Sequence, residues 1–111
     1  MVQHISAVAT RDWLASSSQH PTQAPILLDI REPWELALAS LPNVQHIPMG
    51  QLVSRINEID ETRPIIVFCH HGVRSLQVVA YLQRQGMTDV HNLTGGIDAW
   101  SKTVDPSINL Y

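Results

Sequence analysis

Two short segments of this chain, residues 26–30 and 65–68, are apolar almost throughout rather than alternating between polar and apolar residues. A strand with one solvent-exposed face alternates between polar and apolar residues, whereas a strand that is buried on both faces does not. Strands of the second kind occur in parallel sheets that are covered by helices. The two segments therefore predict an α/β domain with a central parallel sheet.

The rest of the chain supplies helices between shorter strands. Helices are predicted over residues 10–15, with Thr10 as the cap, from Pro33 to before Pro42, and over residues 49–59, 76–85 and 97–102. Further strands are predicted over residues 4–8, 44–47 and 90–93. This alternation of strands and helices supports the α/β assignment.

The composition fits one domain over residues 1–111, with 44% hydrophobic and 15% charged residues. A net charge of -3 argues against a general nucleic-acid binder, which carries a basic face. The sequence contains no apolar run of the roughly 18 to 20 residues that would span a bilayer. It also shows no basic segment followed by a long apolar run near its start, so we expect a cytoplasmic protein without membrane contact.

The single cysteine, Cys69, excludes an internal disulfide framework. It follows directly after the strongest predicted strand, residues 65–68. Ligands of α/β proteins bind at the carboxyl ends of the strands. This position favours a reactive thiol over a small buried residue at the end of a strand.

The loop after Cys69 has the composition of an anion-binding site. A helix start exposes free N–H groups, and Gly72 allows backbone angles that turn such groups inward. Arg74 adds a positive charge, and Ser75 is predicted to cap the following helix. A free thiol is only about 3% ionised at pH 7, and a pKa lower by about two units would make it mostly thiolate.

At this loop the chain resembles the rhodanese family, whose signature is a cysteine loop that ends in Arg and Ser or Thr at a helix start. Three other segments resemble family motifs in the same order along the chain. They are residues 28–35 (Leu-Asp-Ile-Arg-Glu-Pro-Trp-Glu), residues 46–48 (His-Ile-Pro) and residues 93–100 (Leu-Thr-Gly-Gly-Ile-Asp-Ala-Trp). Four motifs in order make the resemblance specific.

The resemblance implies a three-layer α/β/α rhodanese-like domain with a mainly parallel sheet of about five strands. It also implies a sulfurtransferase that moves sulfane sulfur from a small, thiosulfate-like anion to a thiol such as thioredoxin or glutathione, or to cyanide. Cys69 would be the nucleophile that carries the sulfur as a persulfide, in a two-step reaction without a cofactor. The remaining site residues would be the substrate-binding His70, His71, Gly72, Val73, Arg74 and Ser75, and the pocket-organising Asp29 and Arg31.

The length of the loop separates related activities. Rhodanese-like phosphatases and arsenate reductases place five residues between cysteine and arginine, whereas four residues separate Cys69 from Arg74. The tighter ring suits a single sulfur atom. A phosphatase or arsenate reductase, and a persulfide carrier or regulatory module without turnover, remain the alternatives.

The six histidines raise the question of a metal site. Adjacent residues such as His70 and His71 rarely direct their side chains to one ion, so no metal is predicted. Both are instead expected as exposed, titratable groups at the pocket mouth, and a general-acid role for either stays open. Trp13, Trp34 and Trp100 are expected to pack in the core or against helices.

Overall fold

The computed structural model describes residues 2–111, whose strands form one parallel sheet. The strands are β1 (Gln3–Ile5), β2 (Ile26–Asp29), β3 (Gln45–His46), β4 (Ile65–Phe68) and β5 (Val90–Leu93). Their spatial order is β1-β5-β4-β2-β3, and each neighbouring pair is parallel. All four residues of the central strand β4 are buried. The predicted α/β fold with a five-stranded parallel sheet is confirmed.

Helices cover both faces of this sheet. They are α1 (Ala7–Ser16), α2 (Pro33–Leu38), α3 (Leu52–Arg55), α4 (Val73–Arg84) and α5 (Gly96–Thr103). Successive strand residues point to opposite faces, so β4 contributes to two cores. Val67 packs in a cluster with Leu82 of α4, whereas Phe68 packs in a second cluster with Ile97 of α5. This three-layer arrangement agrees with the predicted architecture.

The start of the chain differs from the prediction. Strand β1 ends at Ile5, and the side chain of Ser6 accepts the backbone N–H of Ala9 at 3.0 Å. Ser6 therefore caps α1, and the prediction that Thr10 caps a helix over residues 10–15 is wrong. Thr10 lies buried inside the helix, and its hydroxyl donates to the carbonyl of Ser6 at 2.8 Å.

The helix predicted over residues 49–59 is also interrupted. Two 3-10 turns, Met49–Gln51 and Ile56–Glu58, flank the short helix α3. At both ends the backbone bonds span three residues, from Leu52 N to Met49 O and from Ile59 N to Ile56 O at 3.1 Å. The apolar spacing still directs Leu52 and Ile59 into the core. The periodicity identified the buried face but not the helix type.

The parallel strands bring three chain segments to one edge of the sheet. Asp29 pairs in register with Phe68, and Val67 pairs with Asn92. Arg31, Cys69 and Thr94, which follow these strands, are therefore neighbours. Within residues 2–111, no helix has both the length and the apolar character needed to cross a membrane.

Candidate active site

The side chain of Cys69 lies at the carboxyl end of β4, and the residue is only 1% exposed. Its Sγ accepts the backbone N–H of Gly72 at 3.1 Å and that of Ser75 at 3.4 Å. Gly72 has a φ of 101°, a left-handed conformation that favours glycine. A Cβ at this position would also lie 3.2 Å from the backbone N of Gly95. The loop thus directs main-chain donors at the sulfur.

The pKa of the Cys69 thiol is set by two opposing effects. Burial raises the pKa because it disfavours the charged thiolate. The hydrogen bond between the sulfur and the side chain of Ser75, and the hydrogen bonds that the N–H groups of Ser75, Gly72 and His71 donate to the sulfur, lower it. The hydrogen bonds prevail, and the pKa of Cys69 lies below the ordinary value for a thiol. The site therefore favours the nucleophilic thiolate.

Ser75 occupies a different position from the one predicted. Helix α4 begins at Val73 and is preceded by Gly72, so the prediction that Ser75 caps this helix is wrong. Ser75 is fully buried within the first turn, with its Oγ 3.4 Å from Cys69 Sγ. Its hydroxyl donates to Oδ1 of the buried Asn92 at 2.5 Å. Ser75 thus connects the sulfur to β5 beneath the loop.

The guanidinium of Arg74 faces a carboxylate rather than the sulfur. Its Nη1 and Nη2 donate to the two oxygens of Glu35 in α2, at 2.8 and 2.7 Å. These bonds lower the pKa of Glu35 to about 2, although burial of the carboxyl opposes the shift. The hydroxyl of Tyr111 and the N–H of Glu32 also donate to this carboxylate, both at 2.9 Å. Arg74 therefore ties the end of the loop to α2.

The predicted pocket-organising pair forms a buried ion pair. Arg31 Nε and Nη2 donate to the two carboxylate oxygens of Asp29 at 3.0 and 2.8 Å, and both side chains are fully buried. Arg31 Nη1 donates to the hydroxyl of Tyr111 at 2.9 Å. His46 Nε2 lies 2.6 Å from the carbonyl oxygen of Arg31. These bonds fix the segment between β2 and α2 beside the loop.

The two histidines of the loop differ in environment. The ring of His70 stacks on Tyr111 with a centroid distance of 3.8 Å, and on its other side lies His71 at 3.9 Å. Burial and the nearby His71 lower the pKa of His70, so His70 does not supply the exposed titratable charge that was expected. Its Nε2 is buried and has no hydrogen-bond partner among residues 2–111. His71, with a side chain that is 60% exposed, does lie at the surface.

His70, His71 and Asp98 are the described residues whose donor atoms come close enough to meet at one metal ion, within 4.8 Å of one another. Asp98 Oδ2 already bonds Lys102 Nζ at 2.9 Å and lies 3.9 Å from His71 Nδ1. Because Lys102 supplies the positive charge beside this carboxylate, we assign no metal there. The absence of a metal remains a prediction.

Trp34 was expected to pack in the core or against a helix, and this prediction is wrong. It is 63% exposed, whereas the neighbouring Glu35 is buried. On the short helix α2 the inward position belongs to the carboxylate that binds Arg74, so the indole turns outward. Trp100, by contrast, is buried in the core beside α1.

The side chains of Glu35, Asn92 and Tyr111 belong to the site but were not predicted from the sequence. Glu35 lies within residues 28–35, a segment that resembles a family motif, but only the geometry pairs it with Arg74. Asn92 was detectable as a polar residue inside a buried strand, because such residues need partners. Tyr111 lies 76 residues from Glu35 along the chain, and no local sequence pattern indicates that contact.

Comparison with known proteins bears on this geometry. A family model described as Rhodanese-like domain matches residues 10–103. A protein named Sulfurtransferase from Allochromatium vinosum is 41% identical over 102 residues, which cover 92% of this chain and 91% of that protein. Thiosulfate sulfurtransferase GlpE from Pseudomonas fluorescens is 36% identical over 81 residues, 73% of this chain and 74% of that protein. The crystal structure of a rhodanese-related protein from Thermoplasma volcanium aligns with a TM-score of 0.79 at 28% identity, covering 98% of this chain and 99% of that one.

Proposed function

The chain belongs to the rhodanese-like domain family, and from that premise we propose that it is a sulfurtransferase that carries sulfane sulfur as a persulfide on Cys69. One observation carries the proposal. The Sγ of Cys69 lies in a loop whose main-chain donors point at it, at 3.1 Å from the N of Gly72 and 3.4 Å from the N of Ser75. Such donors stabilise a thiolate before the reaction and an anionic persulfide after it.

In the first step, the donor is a thiosulfate-like anion. The Cys69 thiolate attacks the outer sulfur of thiosulfate, and a new S–S bond forms. The S–S bond within thiosulfate breaks, and sulfite leaves with the bonding electron pair. Cys69 then carries one additional sulfur as the anion Cys-S-S⁻. Charge is conserved, because a thiolate and a dianion become a persulfide anion and a dianion.

In the second step, an acceptor thiolate attacks the outer sulfur of this persulfide. The S–S bond to Cys69 breaks, and the Cys69 thiolate is the leaving group. The acceptor leaves as its own persulfide, or as thiocyanate when the acceptor is cyanide. Thioredoxin, glutathione and cyanide are the acceptors to be compared. Separate steps of this kind give ping-pong kinetics.

The loop favours sulfur over phosphate as cargo. Four residues separate Cys69 from Arg74. Both terminal nitrogens of Arg74 donate to Glu35, so the guanidinium does not face the sulfur with its full set of donors. A tetrahedral oxyanion needs a wider ring with more donors than one sulfur atom does. Arg74 acts on the donor anion through its positive charge and its remaining N–H groups.

The test is the intact mass of the protein after mixing with thiosulfate. We expect a gain of one sulfur atom, which is lost again when a thiol or cyanide is added. Because Cys69 is the only cysteine, Cys69→Ser should abolish the adduct and reduce turnover by about a thousandfold or more. No adduct with any sulfane donor, or turnover retained by Cys69→Ser, would refute the proposal.

A relocated thiol is the matched control. The double variant Cys69→Ser, Ser18→Cys keeps one cysteine but places it at an exposed position in the chain. It should discharge sulfur no faster than free cysteine persulfide. If the wild-type persulfide forms but also discharges only at that rate, the chain is a sulfur carrier rather than an enzyme. Hydrolysis of an aryl phosphate that depends on Cys69 would instead favour the phosphatase alternative.

We also propose that the protein works in the cytoplasm. Its thiol chemistry needs Cys69 unpaired and reduced, and reducing conditions prevail in that compartment. Fractionation of cells that express the tagged full chain tests this location. Recovery of the protein in an oxidising compartment would contradict it.

A further inference from the structure

A chain of hydrogen bonds runs from the sulfur of Cys69 to the edge strand β1. Cys69 Sγ lies 3.4 Å from Ser75 Oγ, and the Ser75 hydroxyl donates to Asn92 Oδ1 at 2.5 Å. On the other side of the amide, Asn92 Nδ2 lies 3.4 Å from His4 Nδ1. Ser75 and Asn92 are 0% and 4% exposed, so bulk water does not replace these bonds. His4 is exposed, so this series of hydrogen bonds ends at the protein surface.

The order of donors and acceptors in this series of hydrogen bonds suits a neutral thiol on Cys69. A serine hydroxyl has one proton, and Ser75 gives it to Asn92 Oδ1. Ser75 Oγ is then an acceptor toward the sulfur, which must supply the S–H. A thiolate has no proton to give, so this arrangement leaves it facing a lone pair. The Ser75 hydroxyl therefore adds to the support that the main-chain N–H groups give to the thiolate only after its proton turns toward the sulfur.

This rotation of the Ser75 hydroxyl requires the amide of Asn92 to change its orientation as well. With the hydroxyl proton directed at the sulfur, Ser75 Oγ and Asn92 Oδ1 would be two acceptors 2.5 Å apart. Rotating the amide by half a turn places Nδ2 against Ser75 as a donor and Oδ1 against His4. His4 then donates from Nδ1, in the tautomer or charge state that carries a proton there. Each hydrogen bond of the series is retained, with donor and acceptor exchanged.

We propose that Asn92 is a positioning residue for Cys69, whose amide orientation decides whether the Ser75 hydroxyl donates to the sulfur and thus whether Cys69 is held as thiol or thiolate. The inference deepens the proposed function, on which it rests, because it concerns the same sulfur. Asn92 does not touch the sulfur itself. It acts through Ser75, in the first turn of α4.

Other charged or titratable groups lie around the site, and these side chains must stay unchanged in any test. Arg74 of α4 is paired with Glu35 of α2, and Arg31 with Asp29 beside them. His70 and His71 belong to the loop, and Asp98 of α5 is paired with Lys102. His4 of β1 is the titratable group at the end of the chain. Substitutions at Asn92 leave all of these side chains in place.

The experiment measures the rate of Cys69 alkylation by iodoacetamide against pH, with the full chain and no sulfur donor. In Asn92→Asp, the carboxylate accepts from Ser75 and has no N–H to offer, so the hydroxyl stays turned away from the sulfur. We expect the thiol pKa to rise by about one unit, so that alkylation at pH values below the wild-type pKa is about tenfold slower. No change in the pH profile would overturn the proposal.

Two further variants separate positioning from a simple charge effect. In a Ser75→Ala background, Asn92→Asp should slow alkylation at least about threefold less than it does alone, because the mediating hydroxyl is gone. An equal effect in both backgrounds means that the carboxylate acts through its field, which contradicts the proposal. Asn92→Leu, similar in shape, leaves the hydroxyl with the sulfur as its partner and should alkylate at least as fast as wild type.

A merely structural role for Asn92 predicts slower alkylation in the Leu and Asp variants alike, and this result would also overturn the proposal. Far-UV circular dichroism confirms that each variant is folded, and Asn92→Leu decides the question if Asn92→Asp does not fold. The outcome is independent of the proposed function. A protein that accepts no sulfur still has a thiol pKa, and a sulfurtransferase need not control that pKa through Asn92.

Discussion

The site has two sides that are built on different principles. The charged wall consists of Asp29, Arg31, Glu35, Arg74 and Tyr111. The neutral floor consists of Cys69, Gly72, Ser75, Asn92 and Gly96. In the wall, each cation is hydrogen-bonded to a carboxylate at 3.0 Å or less. In the floor, the sulfur is held by backbone N–H groups and a hydroxyl, without a charged side chain in hydrogen-bond contact.

The difference assigns separate tasks to the two sides. A buried charge is costly unless it is paired, so the charges of the wall are committed to one another and tie α2 to the end of the cysteine loop. Neutral donors in the floor would stabilise the proposed persulfide anion without a counter-charge that would hold it too tightly for transfer. Changes in the wall should therefore affect mainly stability, whereas changes in the floor should affect the loop and its chemistry as well.

The largest effect is expected from the floor, at Gly96. An added Cβ would collide with the backbone carbonyl oxygen of Cys69 and lie 2.5 Å from that of His70, at a left-handed φ of 61°. The loop must shift, because backbone atoms cannot move aside as a flexible side chain can. We expect Gly96→Ala to lower the free energy of unfolding by about 4 kcal/mol and to abolish sulfur loading. Urea denaturation and intact mass measure the two effects.

Gly86→Ala is the matched control for this substitution. Gly86 has a comparable left-handed φ of 98°, but a Cβ there would meet no atom within 4 Å. It should cost only the backbone strain of about 1 to 2 kcal/mol and leave loading intact. If the two variants lose equal stability, the close approach of α5 to the cysteine loop is not what Gly96 provides.

The wall is tested by Glu35→Gln, which leaves Arg74 with a neutral partner. The native pKa of Glu35 is about 2, against an ordinary 4.5. A lowered pKa contributes stability above the unfolded-state pKa, and that stability is lost as the pH falls from about 4.5 toward 2. We expect a loss of about 3 kcal/mol at neutral pH in the variant, and a flatter stability profile in that acid window.

Thermal or urea unfolding between neutral pH and pH 2 provides the measurement. The control is Glu58→Gln, which makes the same change in an exposed ion pair with Arg55. Its unfolding midpoint should hardly move, because exposed pairs are screened by solvent. A wild-type profile as flat as that of Glu35→Gln would show that the Glu35–Arg74 pair contributes little.

Much of the fold was predictable because burial on both faces of a strand leaves a direct sequence signal. Residues 26–30 and 65–68 were correctly placed as central strands within one residue of their observed ends. Helix starts were less predictable. Ser6 and Thr10 have equivalent capping chemistry, and the choice between them depends on where β1 ends. The 3-10 turns around α3 have the same apolar spacing as a helix.

The cysteine loop was more predictable than the contacts around it. Cys69 and Gly72 are close in sequence, so the local pattern of strand, glycine and helix start carried most of the information. The wall depends on contacts between distant residues, since Glu35 meets Arg74 39 residues later and Tyr111 76 residues later. A charged residue such as Glu35 is normally expected at the surface. Only the tertiary structure shows that a half-buried arginine, Arg74, pairs with it.

The smallest expected effect comes from Tyr111→Phe, which keeps the ring on His70 and removes the hydroxyl between Arg31 and Glu35. The loss of these bonds should cost about 1 kcal/mol in urea denaturation. It should cost more than Tyr81→Phe, the same change on α4, where the ring packs partly buried against the core and lies near Arg84. Because the hydroxyl belongs to the wall, the pH profile of Cys69 alkylation should match that of wild type. A displaced profile would show that the wall tunes the sulfur after all, and that the two sides do not act separately.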